Sequence, residues 1–372
     1  MGPPPTVRVR AAALLLVVAP LAVACTDDDG RSSPTTSVPT SPPVVSTTAP
    51  APATTAPAPV TAPATAPVPG VADVFAMHRY RDRMPATWEE PVVIPYGDGD
   101  DQLGTSIGGD GEGIRWGPSY GAVAADGTWW ILDAAKFRFA HYDAAGGFLG
   151  AVEIPPAHLA DGRYVQWQHP LALADGTIVC FRLTGADGTV LLVLRDGRFS
   201  EVTLDRQVVV KTDDGVALYG FGPGNELLAV DVATATVTEV DAFRTRAGTR
   251  YRLSRDASSL RFAFPDLGVE HEWATVAADT GAPASGAIAA VSTTGGELHV
   301  FVDGAAAGDE ATGLSGYGVI DGDGELRPTE ATRQPWSASD DGSGSRLVAR
   351  PGSDDVWFIA IDTDAVRLYR RL

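Results

Sequence analysis

Between residues 120 and 154, apolar and polar positions alternate in four short runs, 121–125, 128–132, 137–142 and 148–154, parted by polar turns at Asp126-Gly127, 134–136 and 143–147. Period-two alternation places one side-chain set on each face of a strand. The Asp-Gly pairs supply the left-handed backbone that tight turns need. The segment therefore reads as an antiparallel meander of four strands.

The same order returns along the chain. Asp175-Gly176 precedes "TIVCFRL", Asp187-Gly188 precedes "TVLLVL" and Asp196-Gly197 precedes "RFSEVTL". Asp214-Gly215 leads into "VALYGF", "NELLAVD" and "TVTEV". Weaker copies lie at Asp256 ("SSLRFAF", "EWATVA"), at Gly295-Gly296 ("ELHVFVD", "YGVID", "ELRPTEA") and at 352–355 ("VWFIAID", "VRLYRRL"). First turns at 126, 175, 214, 256, 295 and 353 recur every 39 to 58 residues, the spacing of four-stranded propeller blades. The last copy has three strands, and the unassigned strand "PVVIPYG" (91–97) before the first copy is expected to complete it and leave no free edge. The predicted architecture of residues 71–372 is an all-β β-propeller of six four-stranded blades closed by that N-terminal strand. Seven blades or stacked β-sandwiches are the alternatives. A short helix is expected near 73–84 and no long helix elsewhere.

At the level of family, "GPSYGAVAADGTWWILDAAKFRFAHYDAAGGFLG" resembles the repeat of NHL-type six-bladed propellers, through Gly117, Pro118, Asp126, Gly127, Asp133, Arg138, Asp143 and Gly146. The resemblance implies the fold and no particular activity, because propellers host unrelated functions.

The N-terminal segment sets an expected location. Arg8 and Arg10 precede an apolar run from Ala11 to Ala24, which reads as a signal peptide over 1–24. Its 14 residues fall short of the ~18–20 that span a bilayer. "LAVAC" resembles the lipobox of bacterial lipoproteins, which implies lipidation of Cys25 and a place on the extracytoplasmic face of the cell membrane. Cys180 is the only other cysteine, so no intrachain disulfide is expected, and its apolar surroundings read as core. Residues 25–70 are rich in Pro, Thr and Ala and offer no large side chains to bury, so they read as a disordered linker. At ~3.1 Å per residue in the polyproline form, such a linker reaches roughly 100 Å.

Charge narrows the partners. The chain carries a net −19, and loss of Arg8 and Arg10 would make it −21. Nucleic acid is thereby excluded as an expected partner, since binding it requires basic neutralisation of phosphates. A membrane contact through the lipid and a protein, peptide or glycan ligand remain, with the chain as a monomer.

Candidate chemistry is sparse. "GTSIG" (104–108) fits the hydrolase elbow formally, but Ser106 lacks the strand before and helix after that such an elbow needs. Asp98 and Asp100 in one acidic turn, with Asp321 and Asp323 in another, are the candidate ligands for calcium, which takes six to eight oxygens. No other cofactor is implied. The six histidines are scattered without metal-binding spacing. Arg250, Arg252 and Arg255 form a basic cluster in an acidic chain and are candidates to grip an anion, the alternative being a solvated strand paired with local acids. The tryptophans near blade openings read mainly as core. These observations favour a membrane-anchored binding or scaffolding propeller over an enzyme. The alternatives are a metal-dependent hydrolase or lyase resembling propeller lactonases and, lower, an assembly factor similar to propeller lipoproteins of the outer membrane.

Overall fold

The computed structural model describes residues 74–372 other than 80, 82, 108–114, 160–166, 184–187, 256–258, 307–312, 333–346 and 363. The expected signal peptide, Cys25 and the linker lie outside the described residues, as does Asp256.

The chain opens with β1 (Val74–Arg79), β2 (Val92–Pro95) and a short antiparallel pair, β3 (Ser106–Ile107) with β4 (Arg115–Trp116). Three four-stranded antiparallel sheets follow in sequence order. They are β5 (Pro118–Val123), β6 (Trp129–Asp133), β7 (Arg138–Tyr142) and β8 (Phe148–Glu153); β9 (Gln168–Ala172), β10 (Ile178–Leu183), β11 (Thr189–Arg195) and β12 (Arg198–Thr203); and β13 (Val209–Asp213), β14 (Leu218–Phe221), β15 (Leu227–Asp231) and β16 (Thr236–Glu239). Next come β17 (Phe243–Arg244), β18 (Arg250–Arg255), β19 (Ser259–Phe264), β20 (Val269–Ala277), β21 (Ala284–Ser292), β22 (Leu298–Ala306) and β23 (Gly313–Ile320). The last sheet holds β24 (Leu347–Ala349), β25 (Val356–Ile361) and β26 (Ala365–Arg370). The one helical element described is a 3₁₀ turn at Pro156–His158.

The repeated Asp-Gly pairs are turn chemistry. Asp126 Oδ1 accepts the Thr128 N–H at 3.0 Å, and Asp143 Oδ1 accepts those of Ala145 and Gly147 at 2.8 and 2.7 Å. Gly127 and Gly146 take φ of +87° and +85°, which side chains resist.

As the sequence implied, β2 pairs antiparallel with β26, Val92 opposite Leu368 and Pro95 opposite Ala365, and completes the last sheet from the N-terminal side. The sheets pack face to face through five buried clusters, and these close a cycle. Ile94, Trp129 and Ile359 join the last sheet to the first. Tyr120, Leu132 and Cys180 join the first to the second, and Val179, Leu191 and Leu228 join the second to the third. Tyr219 joins the third to the β17–β23 region, and Phe301 with Phe358 joins that region to the last sheet. Middle strands are thus covered on both faces. In β11, Val190, Leu192 and Leu194 pack one way and Leu191 and Val193 the other, which is why "TVLLVL" is apolar without alternation. The arrangement is all-β and propeller-like.

Two expectations are corrected. Residues near 73–84 form strand β1 rather than a helix, with Phe75 and Met77 buried on one face. Of the six predicted units, four are separate four-stranded sheets, whereas the remaining strands make one eight-stranded sheet ordered β17-β18-β19-β20-β1-β23-β22-β21. The cause is β1, which runs parallel to β20 along one edge and antiparallel to β23 along the other. It also takes the place expected for "ELRPTEA", where Pro328 falls and only isolated bridges to Tyr317 and Ile320 form. The sheet curls, so that Phe262 and Trp273 of one half share a core with Leu298 and Val300 of the other.

His299 of β22, on the strand face opposite Leu298 and Val300, gives the core around Phe301 and Tyr317 a pH response. It is 3% exposed, its Nδ1 lies 2.6 Å from the Tyr317 hydroxyl, and burial, with Arg371 and Arg327 nearby, lowers its pKa to about 4. A folded-state pKa below the unfolded value near 6.5 means that the unfolded chain binds the proton more readily, so stability falls as pH drops from ~6.5 towards 4. The Asp354 charge offsets part of this loss. The expected contribution is on the order of 3 kcal/mol at most. Urea unfolding at pH 7 and pH 4.5 should show a lower midpoint in acid, and His299→Gln should shrink the difference; an unchanged difference would refute the assignment.

Candidate functional site

The first strands of the three consecutive sheets each carry a bulge. Pairing slips between Pro118 and Tyr120 in β5, between Gln168 and Leu171 in β9, and at Lys211 in β13. Bulges bend a strand and re-aim the side chain they leave unpaired. In β9 the slip holds His169, at φ +45°, and Pro170, which has no N–H to offer the ladder. In β13 it requires Gly220 opposite, where a Cβ would stand 2.3 Å from the Val209 carbonyl oxygen. The result is convergence. The His169 ring stacks on Phe181 at 5.5 Å and lies 4.8 Å from that of Tyr120. Burial and the neighbouring Lys211 charge hold the His169 pKa down at about 4, so its imidazole is neutral at pH 7.

Lys211 also opens onto a cleft of about 790 Å³. This space exists because β17 is two residues long and covers only Arg250 and Tyr251 of β18; from Arg252 onward β18 has no strand on that side among the described residues. The other edge of the curled sheet, β21, lies against β13 and contributes Ala287, Ile288 and Ala290. The third sheet supplies Lys211, Thr212, Phe221, Asn225 and Leu227, and the near half of the curled sheet supplies Phe243, residues 251–254, Arg261, Ala263 and Glu270. The lining mixes apolar side chains with seven polar or charged ones, Lys211, Thr212, Asn225, Arg252, Ser254, Arg261 and Glu270, and its volume is that of small-molecule sites.

Its charges are unevenly matched. Arg261 is held by Glu272 at 3.0 Å. Arg252 donates through Nε to the Asp241 carbonyl and keeps a half-exposed guanidinium, 3.8 Å from the Asp241 carboxylate. Lys211 has no hydrogen bond or ion pair among the described residues, and desolvation lowers its pKa from the ordinary lysine value.

The sequence-predicted cations divide. Arg252 lines the cleft. Arg250 does not; Asp266 and Asp241 bind its guanidinium at 2.7 and 2.9 Å. The side chain of Arg255 is not among those described. Lys211 went unnoticed in the sequence, although a charge inside the apolar run "VVVKTDDG" was a visible signal.

The acidic residues stay in two loops. Asp98 and Asp100 follow β2, in a loop whose Gly99 and Gln102 carbonyls accept from Lys136 Nζ at 2.7 and 3.0 Å. Asp321 and Asp323 lie in the turn after β23, where Asp321 Oδ1 accepts the N–H groups of Asp323 and Glu325 at 3.0 Å each. Among the described residues no group of three or more His, Cys, Asp or Glu side chains is placed to hold a metal. Ser106 sits in a two-residue strand opposite Trp116, and residues 108–114 after it lie outside the described residues. Cys180 is fully buried, with its thiol pKa pushed up.

A cycle of sheets, antiparallel except where β1 joins β20, with a ligand-sized cleft where one of them curls, defines an all-β, propeller-like protein. The chain belongs to the family described as Domain of unknown function (DUF7485), whose model matches residues 86–371. No curated protein matches it. Solved structures similar to it include a streptogramin B lyase, 14% identical over 80% of this chain and 94% of the other, with a TM-score of 0.37. A protein of unknown function from Bacteroides thetaiotaomicron is 13% identical over 76% of each chain, with a TM-score of 0.42. A gluconolactonase from Xanthomonas campestris is 11% identical over 78% of this chain and 99% of the other, with a TM-score of 0.36. At these TM-scores none of the three lends this chain an activity or a site.

Proposed function

We propose that the protein is an extracytoplasmic propeller lipoprotein, anchored to the membrane through Cys25, that binds a ligand in the cleft between the third sheet and the curled sheet. In this reading residues 25–70 are the spacer. The ring has six units, the fourth being β17–β20 and the fifth β21–β23 completed by β1. The observation that carries the binding reading is the cleft, a space of about 790 Å³ with apolar and polar lining and a cation that no described residue neutralises. A rigid frame that exposes polar groups at one opening suits recognition.

The anchor has its own test. In the native host the wild-type chain is expected in the membrane fraction, labelled by a radioactive fatty acid. Cys25→Ser should lose the label and shift to the soluble fraction; a variant still membrane-bound would sink the lipoprotein part of the proposal.

A further inference from the structure

We infer that the cleft selects an amphipathic monocarboxylate, with its carboxylate on Lys211 and its apolar body against Phe221, Leu227, Phe243, Leu253 and Ile288. This rests on the ligand-binding reading above and names the ligand class.

The argument begins with how Lys211 comes to be there. Val210 and Thr212 on either side of it are 2% and 3% exposed, and both stay in the ladder. The bulge removes Lys211 alone from that pairing and leaves its side chain at the cleft. The protein carries a net −19, yet the acids next in sequence are committed elsewhere. Asp213 accepts from Arg246 at 2.8 Å and from the Gly215 N–H at 2.8 Å. Asp214 accepts from the Tyr219 hydroxyl at 2.7 Å and from the backbone of Val216 and Ala217. Lys211 is exposed at the cleft, and its positive charge has no countercharge from the described residues. Charge complementarity calls for an anion there.

The remaining charges narrow the class. Arg252 and Glu270 lie in one cross-strand row through Ala263, so their formal charges offset each other at the rim. An ammonium is a point charge that suits one carboxylate, whereas the two guanidinium groups of the cleft are engaged by acids or carbonyls of the chain, Arg261 by Glu272 and Arg252 by Asp241. The five apolar side chains then require an uncharged body on the ligand.

The test uses the protein from residue 26 onward and displacement of the fluorescent anion 1-anilinonaphthalene-8-sulfonate by decanoate, 1-decanol, decylammonium and inorganic phosphate. Decanoate should displace the probe with an affinity at least tenfold above that of decanol or decylammonium, and phosphate should not displace it. Lys211→Met keeps the length of the side chain and removes its charge; it should weaken decanoate by about 10- to 100-fold, the range of a charge-assisted hydrogen bond, and leave decanol unchanged. Equal affinity of decanoate for both proteins, or equal affinity for decanoate and decanol, would overturn the inference while leaving a ligand cleft. Displacement by phosphate alone would replace the amphipathic class with a simple anion site. No binding of any probe to the folded protein would sink the binding reading itself.

Discussion

Asp133→Ala is expected to destabilise the fold by about 3–5 kcal/mol, the cost of leaving one partner of a buried ion pair uncompensated. Asp133 is 0% exposed and Arg138 is 7% exposed. The carboxylate accepts Arg138 Nε at 3.1 Å and the Gly104 N–H at 3.1 Å through each oxygen, while Arg138 also donates to the Gln102 carbonyl at 2.6 Å. One carboxylate therefore holds the loop after β2 against the first sheet, and its removal strands a guanidinium in the interior. Replacing both partners by apolar residues, Asp133→Ala with Arg138→Leu, removes the orphan charge and should recover part of the loss. Urea unfolding followed by tryptophan fluorescence measures both. A single variant within 1 kcal/mol of wild type would show that the pair matters little.

Phe75→Ala is expected to cost a similar ~3–5 kcal/mol, as for other buried phenylalanines. Phe75 is 1% exposed and lies over Gly316, where a Cβ would approach its ring to 2.6 Å; β23 keeps glycine so that β1 can dock. The larger effect lies in removing β1 altogether. A chain trimmed to residues 86–371, the span of the family model, loses the strand that joins the two halves of the curled sheet. It exposes the edges of β20 and β23 and should aggregate. Size-exclusion chromatography of the trimmed and full-length proteins decides this; a monomeric trimmed protein of unchanged melting temperature would make β1 dispensable.

Much of the fold was legible because its causes are local. Asp126-Gly127, Asp175-Gly176 and Asp196-Gly197 set tight turns by their own side chains and backbone freedom, and the runs between them are short enough to leave only strands. Pairing of β2 with β26 was legible by counting, since the last unit lacked one strand and one was spare. The eight-stranded sheet was not legible, because β1 is defined by partners about 200 residues away. "VFAMHR" mixes good helix formers with two alternating apolar positions, and only docking onto β20 and β23 decides for the strand. The cleft was half legible. The arginine density pointed to the right strand, β18, yet which arginine stays available depends on Asp241 and Asp266, which the fold brings to Arg250. Lys211 depends on a one-residue slip in pairing that leaves no mark in composition.

The closure of the last sheet also imposes a timetable on biosynthesis. Pro95 of β2 waits for Ala365 of β26, a separation of 365 − 95 = 270 residues. At ~5–20 residues per second, β2 leaves the ribosome roughly 14–54 s before its partner exists. During that interval "VVIP" has no strand partner, which favours association between nascent chains. Slowing elongation late in the reading frame should raise the aggregated fraction more than slowing it early.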